Sequence, residues 1–278
     1  MSHWFEYPHI DPIAFHLGPI SVHWYGLSYL FGFICVFLWM NRRAGRRRLG
    51  LTTDQIQDFL VYALIGVLIG GRTGFVIADL FTHNNLGDYL SHPLKFIAIW
   101  EGGMAFHGAL IGVIVAIALF LRKHPGLSFG VLGDEVVPLL SIGIFTTRIV
   151  NFINDELPGK LCIPDHPYCI LFPNPQYSNG YRYPSQIFEA ILDILTLPVV
   201  VIIYRMHPPP GVVAWSWFTI YGVTRTIAEI WREPGFTVLG LDGGQFVAVL
   251  QIFVGIGMIV YSYRRASRTG ASTPGAAA

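Results

Sequence analysis

The 278-residue chain is dominated by long, uninterrupted apolar stretches, without the alternation of apolar and polar positions that is typical of strands. The stretches are about 20 residues long, the length that an α-helix needs to cross the hydrocarbon of a bilayer. Only helices economically satisfy the backbone of such continuous runs inside lipid. The pattern therefore predicts an all-α polytopic membrane protein with seven transmembrane helices, near residues 22–41, 57–80, 104–121, 132–153, 185–204, 212–231 and 244–263.

The composition supports a membrane location. Hydrophobic residues make up 53% of the chain and charged residues only 13%, against about 25% charged residues in soluble domains. So few charges cannot cover a surface that faces water on all sides. The net charge of +1 does not decide whether one face is basic, so the positions of the charges are more informative than their sum.

The basic residues predict the orientation, because cytoplasmic loops collect lysine and arginine. Most of the 18 fall on one side of the predicted spans, with a run of arginines in the first linker and further ones before the last residues. The opposite side has only Lys95, Lys160, Arg182 and Arg232. This distribution places the N-terminus outside and the C-terminus in the cytoplasm.

The segments between the spans complete the predicted organisation. Residues 1–265 form a single integral membrane domain, in which residues 154–184 between helices 4 and 5 are a small extracytoplasmic head. Residues 83–103 contain KFIAIW, which we interpret as a short interfacial helix, and residues 266–278 are a disordered cytoplasmic tail. The first 20 residues lack the pattern of a cleavable signal peptide.

The three cysteines are too few for a disulfide framework and have no metal-binding spacing, so we expect no metal site. Cys162 and Cys169 flank a loop. A disulfide there and two free thiols are both open interpretations.

Polar side chains within the spans concentrate in the outer halves, and such residues suggest function by default. Two helical stripes stand out: Gln186, Glu189 and Asp193, and Tyr221, Arg225, Glu229 and Arg232. In the inner half, Asp134 and Glu135 are expected at a helix start, where carboxylates are favoured. Arg225 with Glu229, or Arg72 with Asp79, could instead be structural ion pairs.

Three arginines inside the spans, Arg72, Arg148 and Arg225, exceed what such pairs require. Arginine stays charged and its planar fork matches phosphate, so we predict a cationic cavity for a phospholipid headgroup in the outer leaflet. The rival interpretation is an anion transporter, but transporters usually have related halves and a site near the midplane. Neither feature is evident in the sequence.

Particular strings resemble one family. Residues 146–159, TTRIVNFINDELPG, are similar to the signature GRxGNFxNxExxG of bacterial phosphatidylglycerol:prolipoprotein diacylglyceryl transferases. Further family-like strings follow in family order over nearly the whole chain: IDPIAFHLGPISVHWYGLSYL (10–30), GGRTGFV (70–76), EGGMAFHGALIG (101–112), YPSQIFEA (183–190), YGVTRTIAEIWREP (221–234) and GQ (244–245).

The chain departs from the usual pattern at several places. Thr147, Val150 and Asp155 stand where the signature commonly has glycine, while Ala109, Tyr183 and Phe188 replace a usual glycine, histidine and tyrosine. These differences bear on helix packing and substrate preference more than on the chemistry. Arg148, Asn151, Asn154, Glu156 and Gly159 match the signature.

The resemblance implies a multi-pass enzyme of the bacterial cytoplasmic (inner) membrane, with its active site toward the outer leaflet. It would transfer the diacylglyceryl group of phosphatidylglycerol to the lipobox cysteine thiol of a prolipoprotein signal peptide, the first step of lipoprotein maturation. Its partners would be these substrates and membrane lipids, with no nucleic acid, metal or other cofactor. The alternative is a divergent paralogue that binds or transports phospholipid without catalysis, or modifies a different acceptor.

The resemblance also implies roles for individual residues. Arg148 and Arg225 would hold the phosphate and stabilise it as it leaves, and His107 could accept the thiol proton; a helix-end histidine bonded to backbone explains His107 equally well. Gly159 could permit a tight turn or be a plain loop glycine. The predicted substrate-binding residues are Arg148, Tyr25, Asn151, Asn154, Glu156, Gly159, Glu189, Tyr221 and Glu229, and one of the glutamates could replace His107 as base.

Overall fold

The computed structural model describes residues 6–18, 20–83, 85–99, 103–163, 168–233, 237–238 and 240–269. This part of the chain is mostly helical, and each predicted span overlaps one helix. These helices are α1 (Trp24–Asn41), α3 (Thr53–His83), α5 (Phe106–Lys123), α6 (Phe129–Ile153), α7 (Ser185–Arg205), α8 (Val212–Ala228) and α9 (Gly243–Thr269).

Short elements connect the long helices. Two are helical, α2 (Arg43–Leu49) and α4 (Leu86–Ser91), and a 3₁₀ turn follows at Pro93–Phe96, within the region that we predict as an interfacial helix. The described residues include three antiparallel pairs of strands: β1 (Ile13–Leu17) with β2 (Ile20–His23), β3 (Ile170–Leu171) with β4 (Tyr181–Arg182), and β5 (Thr237–Val238) with β6 (Leu241–Asp242).

Five helices in the described residues are long and apolar enough to cross a membrane: Trp24–Asn41, Thr53–Thr82, Phe129–Ile153, Ser185–Arg205 and Gly243–Arg268. The remaining two predicted spans correspond to the shorter helices α5, with 18 residues, and α8, with 17. A mostly helical chain with five candidate membrane spans is therefore confirmed, whereas seven spans and their orientation stay predictions.

The chain divides into two compact units, one formed by Met1–Val36 with Gly133–Ala278 and the other by Phe37–Leu132. In the second unit, α3 and α5 touch through glycines. A Cβ on Gly70 would lie 2.3 Å from the carbonyl oxygen of Gly108, and one on Gly112 would lie 2.0 Å from that of Gly66. Glycines four residues apart allow backbones to approach this closely in membrane helices.

In the first unit, hydrogen bonds and apolar side chains join α6, α7 and α8. Val200, Val213 and Trp217 form a buried cluster. The indole of Trp217 donates to Ser141 Oγ at 2.9 Å, and the hydroxyls of Ser141 and Thr196 are 2.5 Å apart. These contacts fix α7 and α8, which carry the polar stripes, against α6, which carries Arg148.

Asp134 has a different role from the one we predict. Because α6 begins at Phe129, this residue lies beyond the first helical turn, and its buried carboxylate accepts from the backbone N–H groups of Gly211 and Ala214, both at 2.9 Å. These are orphan donors at the start of α8. One helix thus caps the N-terminus of another.

Replacing Asp134 by alanine should lower the free energy of unfolding by about 2 kcal/mol or more, because two buried donors lose their acceptor. Thermal unfolding in detergent would measure the change. Asp134→Asn, which keeps one acceptor oxygen, should have a smaller effect, and Asp58→Ala, at an exposed position of α3, almost none. Equal midpoints for Asp134→Ala and wild type would contradict the capping role.

The predicted head segment is tied together at several points. Cys162 and Cys169 form a disulfide, which decides between the two interpretations left open above. Tyr7, Phe152, Ile170 and Phe172 form a buried cluster beside it. The Tyr7 hydroxyl donates to the carbonyl oxygen of Phe152 at 2.7 Å, and burial raises the pKa of this phenol to about 12.

The helix α9 continues to Thr269, so the predicted start of the tail at residue 266 is wrong by four residues. Residues 266–269 are Ala, Ser, Arg and Thr, and alanine and arginine favour helices, with basic residues stabilised near a helix C-terminus. The rest of the predicted tail, residues 270–278, lies outside the described residues.

Candidate functional site

The two polar stripes meet Arg148 in the first unit. Glu189 and Asp193 lie on α7 and Arg225 on α8, while Glu229 and Arg232 follow directly after α8. Helical spacing within each stripe places its members on one face. We call Arg148, Glu189, Asp193, Arg225, Glu229 and Arg232 the arginine–carboxylate cluster.

Glu189 is the centre of this cluster. Its Oε2 atom lies 2.9 Å from Arg148 Nε and 3.0 Å from Arg225 Nη1, and its Oε1 atom lies 2.7 Å from Arg232 Nη1. One carboxylate therefore pairs with three guanidinium groups. Arg225 and Arg232 donate hydrogen bonds to it, whereas Arg148 Nε lies at ion-pair distance without a hydrogen bond.

Two further carboxylates surround this centre. Glu229 Oε1 lies 2.5 Å from Arg225 Nη2 and 3.8 Å from Arg232 Nε. Asp193 Oδ2 lies 4.0 Å from Arg148 Nε. Arg225 thus spans two carboxylates with two nitrogens, which fixes the plane of its guanidinium group.

The cluster balances three arginines against three carboxylates, so it lacks the net positive charge that we predict for the cavity. The exposure of the side chains differs, however. Glu189 and Glu229 are each 3% exposed, whereas Arg148, Arg225 and Arg232 are 17%, 21% and 22% exposed. The carboxylates lie deeper and hold guanidinium groups whose other N–H donors can reach an anion.

A second polar group lies next to the cluster along α6 and α7. The Tyr25 hydroxyl donates to Glu156 Oε2, and Asn151 Nδ2 donates to both, at 3.2 Å in the case of Glu156. Gln186 Nε2 donates to the backbone oxygen of Glu156 at 2.6 Å. Since Asn151 is three residues from Arg148 and Gln186 three residues from Glu189, helical spacing makes the two groups neighbours.

Two buried oxygens have no donor among the described residues: Gln186 Oε1 in this second group, and Oδ1 of Asn154, the residue that follows α6. The amide of Gln186 cannot simply be reversed, because its nitrogen is held by a carbonyl oxygen. Buried acceptors without partners are rare in folded proteins and are expected where a ligand or water completes the bonding.

Gly159 contacts the backbone and not a side chain of the cluster. A Cβ at this position would lie 2.3 Å from the carbonyl oxygen of Trp231, and the next residue, Lys160, donates its backbone N–H to that same oxygen at 2.8 Å. The absence of a side chain therefore lets the loop hold the segment that carries Arg232. This geometry favours a positioning role over the substrate contact that we predict.

The other predicted residues fall in different places. The Tyr221 ring stacks on Trp217 in α8, with centroids 5.1 Å apart. His107 is the second residue of α5, and its side chain lies outside the described part of the structure. Arg72 donates to the backbone oxygens of Lys95, Phe96 and Gly103, so it secures the loop before α5.

Sequence reasoning left four residues out of the predicted site. Arg232, Asp193 and Gln186 belong to the helical stripes, so their spacing was the available signal. Gly244 has no such signal: a Cβ there would lie 2.2 Å from Glu229 Oε1. The family-like string GQ (244–245) includes this position, but only the fold shows why a glycine is needed, because it brings the start of α9 against this carboxylate.

Comparison with known proteins adds an independent result. Residues 12–261 match the family model described as prolipoprotein diacylglyceryl transferase. A Geobacter sulfurreducens protein is 40% identical, covering 94% of this chain and 98% of its own length. Relatives from Nitrosospira multiformis (41% identical; 93% and 88%) and Shigella boydii serotype 4 (35%; 95% and 97%) also match. All three are named phosphatidylglycerol–prolipoprotein diacylglyceryl transferase.

Proposed function

The chain belongs to the prolipoprotein diacylglyceryl transferase family, and we propose that the arginine–carboxylate cluster is where it transfers a diacylglyceryl group from phosphatidylglycerol to a prolipoprotein. The protein is a transferase of lipoprotein biosynthesis, acting at the first step of maturation. The acceptor is the thiol of the lipobox cysteine in the signal peptide. Its sulfur forms a thioether bond to the diacylglyceryl carbon, the bond from that carbon to the phosphate oxygen breaks, and glycerol phosphate leaves.

The observation that carries this proposal is the geometry around Glu189. As the carbon–oxygen bond breaks, negative charge grows on the departing phosphate, and donors fixed in advance stabilise such charge best. Arg148 and Arg225 are held by Glu189 at 2.9 and 3.0 Å and still expose part of each side chain. They would bind the phosphate and stabilise it as it leaves, while Glu229 keeps Arg225 in place and Arg232 holds Glu189.

The second polar group supplies contacts of another kind. Tyr25, Asn151 and Glu156 form a hydrogen-bonded unit, and the oxygens of Gln186 and Asn154 lack donors among the residues described. The glycerol headgroup of phosphatidylglycerol offers hydroxyl donors to such acceptors. This arrangement supports a headgroup site between the phosphate-binding arginines and the end of α6.

The thiol must lose its proton, since a cysteine with a pKa of about 8.5 is mostly neutral at physiological pH. His107 is the proposed base because imidazole titrates in the suitable range, and Glu156, Glu189 or Glu229 is the alternative. Activity of a His107→Gln variant at high pH, where the thiol ionises unaided, should approach that of the wild type. An activity deficit that does not change with pH would contradict a role as base.

Membrane placement follows the same proposal. The chain has seven spans in the inner membrane, with the N-terminus and residues 154–184 outside and the C-terminus in the cytoplasm. Five apolar helices support this placement. The shorter helices α5 and α8 pack closely along α3 and α9: a Cβ on Gly222 of α8 would lie 3.0 Å from the backbone oxygen of Ala248 in α9. A disulfide between Cys162 and Cys169 suits an oxidising, extracytoplasmic location.

A direct assay tests the function. Purified protein is incubated with phosphatidylglycerol and a lipobox peptide, and the peptide mass is followed. We expect a diacylglyceryl adduct with the cysteine peptide and none with a serine peptide, because the hydroxyl ionises far less readily. Binding of phosphatidylglycerol without any adduct would refute the catalytic function and favour a non-catalytic lipid-binding protein.

Gly244→Ala should lower the transfer rate by about 10- to 100-fold, because a small displacement of a positioning group can cost this much. The added Cβ would overlap the Glu229 carboxylate and move it away from Arg225 and Arg232. Gly257→Ala on the same helix is the matched control, since no described atom lies within 4 Å of the place that its methyl group would take. The mass assay measures the transfer rates of both variants. Equal rates would show that the position of the Glu229 carboxylate does not affect transfer.

A further inference from the structure

An arginine-rich cavity lies in the second unit, between the end of α1 and the start of α3. Its volume is about 590 Å³. The lining contains three arginines, two threonines, one leucine and one aspartate: Arg43, Arg46, Arg47, Leu51, Thr52, Thr53 and Asp54. None of these residues belongs to the arginine–carboxylate cluster or to the transfer reaction proposed above.

The arginines stand on a backbone that the fold holds firmly. A Cβ on Gly45 would lie 2.5 Å from the carbonyl oxygen of Met40, so α2 folds tightly back on the end of α1. Gly50 ends α2 in the left-handed region with φ of 65°, and its N–H donates to the carbonyl oxygen of Arg46 at 2.9 Å. Met40 and Leu49 are buried beneath it.

The opposite wall is equally ordered. Thr52 and Gln55 exchange hydrogen bonds at the start of α3, with the Thr52 N–H donating to Gln55 Oε1 at 2.9 Å and the Gln55 N–H donating to Thr52 Oγ1 at 3.3 Å, as in a capping box. The Thr53 hydroxyl donates to Asn41 Oδ1 at 2.8 Å and accepts from Arg46 Nη1 at 3.2 Å. The cavity therefore has fixed walls on both sides.

The charges in the cavity are unbalanced, unlike those of the arginine–carboxylate cluster. Three arginines face one carboxylate, that of Asp54. Arg43, Arg46 and Arg47 are exposed, and within the described part of the chain none of them lies in an ion pair. Like charges this close repel one another, and an anion bound among their N–H donors would relieve the repulsion.

The position of the cavity decides which anion fits. Asn41 ends one candidate membrane span and Thr53 begins the next, so the cavity lies at the membrane surface, where phospholipid phosphates are found. Runs of basic residues directly beside a membrane helix attract anionic lipids. We propose that this cavity binds the phosphate of an anionic phospholipid; in the topology proposed above, that lipid belongs to the cytoplasmic leaflet.

Lipid binding to the full-length protein in detergent tests the proposal. Native mass spectrometry would count phosphatidylglycerol molecules retained as the lipid is titrated, with phosphatidylcholine as the neutral comparison. The triple variant Arg43→Gln, Arg46→Gln, Arg47→Gln should retain one phosphatidylglycerol fewer, with about tenfold or more weaker binding of that molecule. Phosphatidylcholine binding should stay unchanged.

The matched control removes the same charge at the end of α9, by Arg264→Gln, Arg265→Gln and Arg268→Gln. An equal loss of lipid in this control would overturn the proposal, since any three arginines would then serve. If millimolar inorganic phosphate displaced the lipid, the cavity would be a site for free phosphate, and the proposal that it binds a phospholipid would be wrong. Both triple variants should still form the thioether at saturating lipid. If the wild type formed no thioether, the proposed function would fail, but the number of bound lipid molecules would still test this cavity.

Discussion

Replacing Glu189 by glutamine is expected to reduce the rate of diacylglyceryl transfer by about 100-fold or more. Loss of a single fixed electrostatic contact in an active site typically has an effect of this size. The amide keeps the size of the side chain but removes the charge that holds three guanidinium groups within 3.0 Å. The amide also directs its own N–H donors at guanidinium groups, which have no acceptor atoms. Arg148, Arg225 and Arg232 would then repel one another and separate.

The same substitution should destabilise the protein, because removing one partner of a buried ion pair leaves the other charge uncompensated, at a cost of about 3 to 5 kcal/mol. Partial exposure of the arginines places the expected loss toward the lower end of that range. Thermal unfolding in detergent separates this loss from the loss of activity: the transfer rate is measured at a temperature where the variant is still folded. Wild-type transfer by folded Glu189→Gln would refute the central role of this carboxylate.

Asp88→Asn provides the matched control for Glu189→Gln. Asp88 also accepts from a cation, Lys95 at 2.7 Å, but both side chains are largely exposed, at 45% and 39%. Exposed pairs contribute little to stability, so this variant should keep both its stability and its activity. The contrast would show that burial and the number of held arginines matter, and not the loss of a carboxylate as such.

The helices could be predicted from the sequence because their signal is local. About 20 consecutive apolar residues are enough to identify a membrane-length helix, and each such stretch overlaps one helix of the structure. The close contacts between helices depend on pairs far apart in the chain, such as Gly70 with Gly108. No local pattern pairs these two glycines, so the packing could not be predicted in the same way.

The candidate site divides along the same line. Helical spacing predicted that Arg225, Glu229 and Arg232 share a face, and that Glu189 shares one with Asp193. It could not predict that Glu189 pairs with arginines from two other segments, α6 and the end of α8 with the turn after it, because those distances depend on how α6, α7 and α8 pack. The sequence predicted a cationic cavity because spacing alone does not pair charges on different helices. In the structure, the packing places a carboxylate beside each arginine.

Arg225→Lys is expected to lower the transfer rate by about 100-fold although the positive charge is kept. Arg225 donates through Nη1 to Glu189 at 3.0 Å and approaches Glu229 through Nη2 at 2.5 Å, so its fork is oriented by two carboxylates at once. Lysine carries a single compact ammonium group that cannot bridge both carboxylates and still present a planar pair of donors to phosphate. Lys at this position would lie against one carboxylate or the other.

The comparison of Arg225→Lys with Arg225→Ala separates charge from geometry. If a positive charge were sufficient, lysine would restore most of the activity that alanine loses, and the dependence of the rate on phosphatidylglycerol concentration would return to that of the wild type. We expect instead that both variants transfer slowly, with lysine recovering lipid binding more than turnover. A fixed fork stabilises the departing phosphate only when its donors already point at the oxygens that gain charge, and an ammonium held by one carboxylate does not meet that condition.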